Sequence, residues 1–157
     1  MTVEEYQTIL RYQEKAPVDI SALATSLGLA VYESHSLPNG ISGKISRAEN
    51  GKYSITVNAR DGYRRRRFTI AHECAHFLLH RAKFGSELLD DAMYRSEKLT
   101  SQEEFDANNK AADLLMPRHL VERYTKQGYT SPSTLADIFK VSKPAMSVRL
   151  RYLYWQT

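Results

Sequence analysis

Apolar positions recur along this chain at two spacings, and the switches between them mark out the elements. Tyr6, Ile9, Leu10 and Gln13 share one face if residues 3–14 form a helix. Asp19 then opens a second helix as N-cap, with Ile20, Leu23, Ala24 and Leu27 as its stripe and Gly28 as its stop. The spacing next shortens to alternation. Leu29 to Glu33 and Ile41 to Ser46 are short strand candidates on either side of a Ser/Pro/Asn/Gly break at 34–40. Tyr53, Ile55 and Val57 alternate with Ser54, Thr56 and Asn58, a half-buried strand, and Glu49-Asn50-Gly51 before it predicts a hairpin turn. From Phe68 to His80 helical spacing returns. Residues 81–100 are polar without a clear period; so long a stretch is expected to hold a short helix around Glu87–Met93 or to cover a site. Thr100 or Ser101 starts a further helix that ends at Met116-Pro117. Residues 119–127, Pro132–Phe139 and Lys143–Tyr154 supply three more helix candidates. Lys140-Val141-Ser142 joins the last two, with Ser142 as N-cap. The pattern predicts an α+β fold with a small three-stranded sheet beside the helices.

Composition narrows the class. A chain of 157 residues, 42% hydrophobic and 25% charged, is read as one globular domain spanning 1–157. Within it, roughly 1–120 form the core, and 121–157 form a C-terminal helical segment resembling a helix-turn-helix. The net charge of +4 permits contact with nucleic acid or an acidic partner without demanding it. A single cysteine excludes an internal disulfide and suits a reducing compartment. The first residues lack the basic and apolar regions of a secretory signal, and no apolar run approaches the roughly 20 residues of a membrane span. The expected location is cytoplasmic, with no membrane partner.

The chemistry concentrates in the segment from Phe68 to His80, which contains His72-Glu73-Cys74-Ala75-His76. Residues four apart on a helix differ by about 40° around the axis, so His72 and His76 present their rings to one point. Two imidazoles on adjacent turns can hold one Zn²⁺ and leave room for a third protein ligand and a water. Glu73 borders that face and can take a proton from such a water. Ile70, Cys74, Phe77, Leu78 and Arg81 fall at about 140–240° from His72, so the helix is expected to bury that side and turn the His pair toward solvent. Cys74 is read as a small core residue. A shuffled chain with 5 His and 11 Glu contains the pattern about once in a hundred. The run Arg64-Arg65-Arg66-Arg67 just before it is read as a solvated approach, with a phosphate or acidic-substrate contact as the alternative.

The third ligand must come from elsewhere, because the extended zinc pattern would need Gly at 79 and His at 82, where Leu79 and Ala82 stand. In the helix after residue 100, Glu104 heads a stripe with Asn108, Ala111 and Leu115 on the packing face, while Glu103 and Asp106 fall outside it. A carboxylate on a packing face needs a partner, and a metal is one. Two capping boxes are open. Ser101 with Glu104 would occupy the candidate ligand; Thr100 with Glu103 would free it.

These residues carry a resemblance. Arg67-Phe68-Thr69-Ile70-Ala71-His72-Glu73-x-x-His76-Phe77-Leu78-Leu79-His80, followed by Glu104-x-x-Ala107-Asn108-x-x-Ala111-Ala112-x-Leu114-Leu115-Met116-Pro117, resembles the ImmA/IrrE family of bacterial metallopeptidases. The opening from Pro17 to Leu29 and the tail from Leu135 to Leu150 are similar to it as well. The resemblance implies a zincin-like α+β fold in which the motif helix and a second ligand helix pack with the small sheet. It implies zinc held by His72, His76 and Glu104, with Glu73 as the base. Asn108 matches the family's Asn and could orient a ligand from behind. The implied activity is zinc-dependent peptide hydrolysis, and the implied substrate is a helix-turn-helix repressor of a mobile element or stress regulon, carried on a separate chain. Cys74-Ala75 departs from the more usual Leu-Gly, and Asn109-Lys110 departs from the usual aromatic-containing pair.

Two other classes are kept beside the peptidase. One is a nucleic-acid-binding regulator with a structural or vestigial zinc, supported by the charge balance, the Arg run and the C-terminal helix pair. The other is an anti-repressor that acts by binding alone. His80, Tyr94 and His119 are candidates for the oxyanion stabiliser by residue type only.

Overall fold

The computed structural model describes residues 1–84 and 99–154. The expected short helix around Glu87–Met93 and the candidate Tyr94 lie outside the described residues. Two short helices come first: α1 (Val3–Tyr12) and α2 (Ile20–Ser26). Thr2 and Glu5 cap α1 reciprocally, each side chain bonding the other's backbone N–H. Asp19 accepts from the Ala22 N–H as N-cap of α2, and Gly28 follows at φ 96°, where a side chain would be strained. The expected α1 face is only half realised. Ile9 and Gln13 are buried, whereas Tyr6 and Leu10 are exposed. Gln13 stands just beyond the helix and donates to the carbonyls of Asp113 and Leu114, fixing α1 to a segment 100 residues away.

Strands β1 (Ala30–Ser34), β2 (Gly43–Arg47) and β3 (Tyr53–Asn58) form one mixed sheet in the order β1-β3-β2. β3 is central, parallel to β1 and antiparallel to β2, with Ile55 opposite both Val31 and Ile45. The β2–β3 hairpin turns at Gly51, φ 84°. Ile45, Ile55 and Val57 point into the core. At Gly43 the sheet meets the next helix so closely that a Cβ would collide with the Thr69 methyl and stand 3.0 Å from the Thr56 carbonyl.

That helix, α3 (Tyr63–Phe84), is the axis of the fold. It begins at Tyr63 rather than Phe68, so the arginine run lies inside it; arginine is a good helix former. The next helix among the described residues, α4 (Ser101–Leu115), makes the most extensive packing with α3. Ala71 and Ala75 on α3, with Ala107 and Ala111 on α4, are wholly buried, and their small size lets the two backbones approach. The sheet and α2 cover the other side of α3. Between Thr69 and Leu78, only His72 keeps more than a tenth of its surface or so in view; His76 is 0% exposed and Glu73 1%. The expectation of a His face turned to solvent is therefore corrected: a wheel locates the apolar side, but not the second helix that covers the polar one.

Three helices close the chain: α5 (Arg118–Lys126), α6 (Pro132–Phe139) and α7 (Lys143–Tyr154). Lys140 ends α6 in the left-handed region at φ 55°, and the Ser142 hydroxyl accepts from Ala145 N–H at the start of α7. Leu135, Phe139, Val141 and Met146 are buried against the core. Two buried arginines fasten this pair. Arg67 of α3 donates to the carbonyls of Val18, Phe139 and Lys140 at 2.8, 3.2 and 3.0 Å. Arg149 of α7 donates to Met116 O at 2.9 Å and Asp113 Oδ1 at 3.3 Å, at the C-terminal end of α4. Burial lowers the pKa of both guanidinium groups from their ordinary values. Arg64 adds an ion pair with Asp137 at 2.8 Å and a bond to Val141 O. Two members of the Arg run, Arg64 and Arg67, thus bracket α3 to the C-terminal pair instead of forming a solvated approach, whereas Arg65 is exposed and Arg66 bonds the Ala59 and Asp61 carbonyls. The Arg67 partners are backbone carbonyls that no local spacing announces. Among the described residues, no helix is long and apolar enough to cross a membrane.

Candidate metal centre

The one-turn spacing on α3 brings the rings of His72 and His76 to a centroid separation of 4.5 Å, nearly perpendicular at 85°. Their Nε2 atoms stand 3.0 Å apart. Glu104, in the first turn of α4, reaches the same point: Oε2 lies 3.4 Å from His72 Nε2 and Oε1 3.2 Å from His76 Nε2. These three residues form a group whose donor atoms can share one cation. Thr100 explains why Glu104 is free to do so. The Thr100 hydroxyl accepts from Glu103 N–H at 3.1 Å, and the Glu103 carboxylate accepts from Thr100 N–H at 3.0 Å. The capping box is therefore built on Glu103, and the alternative on Ser101 and Glu104 is not formed.

The donor spacing can be tested against the ion it would hold. Tetrahedral zinc with bonds of about 2.0 Å has ligand atoms about 3.3 Å apart. Here the two Nε2 atoms stand 3.0 Å apart, with one Glu104 oxygen 3.2 Å from His76 Nε2 and the other 3.4 Å from His72 Nε2. Two imidazole nitrogens and a carboxylate also suit zinc chemically, and three protein donors leave a fourth position open. The residues fit the ion.

The neighbours divide into those that belong to this point and those that do not. Glu73, next to His72 in the sequence, is buried, whereas the His72 side chain keeps 17% of its surface in view. Cys74 is fully buried, and burial, reinforced by the nearby Glu73 charge, pushes its thiol well above the ordinary range. It is neither a thiolate ligand nor a nucleophile. Asn108, one turn after Glu104, is exposed. His119, considered for the oxyanion, bonds through Nε2 to the Gln13 carbonyl at 2.7 Å, at the junction of α1 and α5. His80 stands elsewhere again: its Nδ1 lies 3.1 Å from Nδ1 of His76, the nitrogen on the far side of that ring from His72. Sequence reasoning missed this contact, although the spacing 72, 76, 80 carries it, since four residues is one helical turn.

An α+β scaffold with a three-stranded sheet holds two histidines of α3 against a glutamate of α4, a group that could hold a metal ion between two helices. The family follows from comparison with known proteins. The model of the Peptidase_M78 family, the IrrE N-terminal-like domain, matches residues 20–151, and the chain belongs to that family. Among solved structures, a Mycobacterium tuberculosis transcriptional regulator superposes with a TM-score of 0.63 at 17% identity, over 96% of this chain and 47% of that one. The likeness is one of fold, and the chain spans about half the length of that protein. No curated protein sequence matches the chain.

Proposed function

We propose that this protein is a zinc-dependent metallopeptidase that cleaves a peptide bond in a helix-turn-helix transcriptional repressor. The observation that carries the reading is the convergence of His72, His76 and Glu104, with the two Nε2 atoms 3.0 Å apart and each within 3.4 Å of a Glu104 oxygen; Glu73 follows His72 in the sequence and is buried. Membership of a peptidase family supports it. The repressor as substrate rests on the sequence resemblance. Zinc held by His72, His76 and Glu104 would supply Lewis-acid polarisation of the scissile carbonyl and lower the pKa of water. The chain's own part is positional and proton-handling. α3 and α4 hold the donors on rigid helices packed through alanines, so little reorganisation is needed. The Glu73 carboxylate takes a proton from the attacking water and delivers it to the leaving amine nitrogen.

The rival in which this is a DNA reader has less to work with. Arg64, Arg67 and Arg149, three of the cations near the C-terminal pair, are engaged within the molecule. The test of the peptidase reading is Glu73→Gln, with wild type as reference, incubated with candidate helix-turn-helix repressors from the same genome. Zinc content and fold should be retained while cleavage falls by about 10²–10⁴. Equal cleavage by the variant would exclude Glu73 as base. Wild type that binds the repressor and never cuts it would favour the anti-repressor reading.

A further inference from the structure

We infer that His80 is a positioning residue of the metal site: its Nδ1 accepts the Nδ1–H of His76 and so fixes His76 in the tautomer whose Nε2 lone pair faces His72 and Glu104. The inference rests on the zinc-site reading and goes one shell beyond it. The observation is the contact at 3.1 Å between the two Nδ1 atoms, with ring centroids 5.3 Å apart. His76 is 0% exposed and His80 8%, so bulk water is not at hand to serve either nitrogen.

The argument follows from counting protons on one ring. A neutral imidazole carries one N–H and one lone pair. His76 Nε2 points at the cluster, 3.0 Å from His72 Nε2 and 3.2 Å from Glu104 Oε1. To ligate, that atom must present its lone pair, which puts the proton on Nδ1. The opposite tautomer would aim a proton into the metal position. A buried N–H at Nδ1 needs an acceptor, and the atom beside it is His80 Nδ1. Ligating histidines are commonly oriented in this way through their second nitrogen. What is particular here is the acceptor: a histidine one turn along the same helix, so that the ligand and its orienting group share one rigid element.

The geometry separates a hydrogen-bonding role from a space-filling one. Asparagine places its side-chain oxygen near the position of a histidine Nδ1, whereas phenylalanine fills the ring volume and offers no acceptor. The experiment measures zinc affinity by competition with a chromogenic chelator for wild type, His80→Asn and His80→Phe. Circular dichroism of each zinc-free protein verifies folding. His80→Phe should bind zinc about 10- to 100-fold more weakly, and His80→Asn should recover most of that loss. The Co²⁺-substituted forms give a second readout: the ligand-field spectrum should change in the Phe variant and resemble wild type in the Asn variant. Wild-type affinity in the Phe variant would overturn the inference while leaving the zinc site standing. So would equal weakening in both variants. Should the Phe variant fail to fold, His80→Gln, whose polar group lies near Nε2 instead, takes its place with the same expected loss, and wild-type affinity in it overturns the inference. Wild type that binds no zinc overturns the site reading, and this inference with it.

Discussion

Replacing Glu104 by alanine is the sharpest test of the site, because its neighbour provides a matched control one residue away. The substitution removes the carboxylate whose oxygens stand 3.2 and 3.4 Å from His76 and His72. Zinc in a four-ligand protein site is bound by roughly 10–16 kcal/mol, so one ligand accounts for roughly 3–4 kcal/mol. At about 1.4 kcal/mol per decade, the variant should hold zinc roughly 10²–10³-fold more weakly, and hydrolysis should be lost with it. Glu103→Ala acts on the cap instead. Its carboxylate bonds Thr100 N–H at 3.0 Å, and losing that bond should cost about 1 kcal/mol of stability with zinc retained. The assay is metal analysis of both purified proteins after dialysis against a weak chelator, alongside urea unfolding. Zinc kept by the Glu104 variant and lost from the Glu103 variant would refute the assignment of the third ligand.

Three further outcomes are expected away from the metal. Arg67→Met should destabilise the fold by about 2–4 kcal/mol, since it leaves three carbonyls, two of them in buried bonds, without their donor. Arg65→Ala, which loses only contacts of 3.3 Å to Ser42, should cost under about 0.5 kcal/mol; equal effects in urea unfolding would deny Arg67 its bracing role. Gly43→Ala should cost about 1–3 kcal/mol through the clash with Thr69, and Thr69→Ser, which removes the offending methyl, should recover part of it in a double-mutant cycle. Finally, burial alone would raise the Glu5 carboxyl, but bonds from Arg81 and the Thr2 N–H outweigh it and hold the group below its ordinary 4.5. A carboxyl depressed in the folded state contributes stability present above its unfolded pKa and lost as pH falls through the folded one. The difference in Tm between wild type and Glu5→Gln should therefore be full at neutral pH and shrink below about pH 4.5, with an amplitude of about 1 kcal/mol for this partly exposed pair. A difference independent of pH would contradict the ion-pair account.

Much of the site was legible before any coordinates because its information is local. The coincidence of His72 and His76 follows from one helical turn, and Glu104's place at the head of its stripe follows from the same arithmetic applied to α4. The caps at Thr2, Asp19 and Ser142 and the turn at Gly51 are similarly short-range. Two open choices could not be closed that way. Whether Glu103 or Glu104 closes a capping box depends on which residue, Thr100 or Ser101, is the N-cap, and both sequences satisfy the rule. His80 was a candidate for the oxyanion stabiliser by residue type, and only the geometry shows its Nδ1 beside Nδ1 of His76.

By itself the sequence determined what spacing along one backbone can determine: the helices and strands, the apolar stripe of each, and the pair of imidazoles on α3. Tertiary structure decided what lies opposite each face. The polar side of α3 is buried because α4 packs on it through alanines, so Glu73 and His76 sit out of water instead of facing it. β1 pairs with β3 in parallel although β2 intervenes in the chain. Arg67 serves as a bracket because the carbonyls of residues 18, 139 and 140 converge on it. The physical reason is common to all three. A helix or strand repeats over a few residues, so its own periodicity specifies which side chains share a face. The surface that meets that face comes from residues far along the chain, and only the folded packing brings them there.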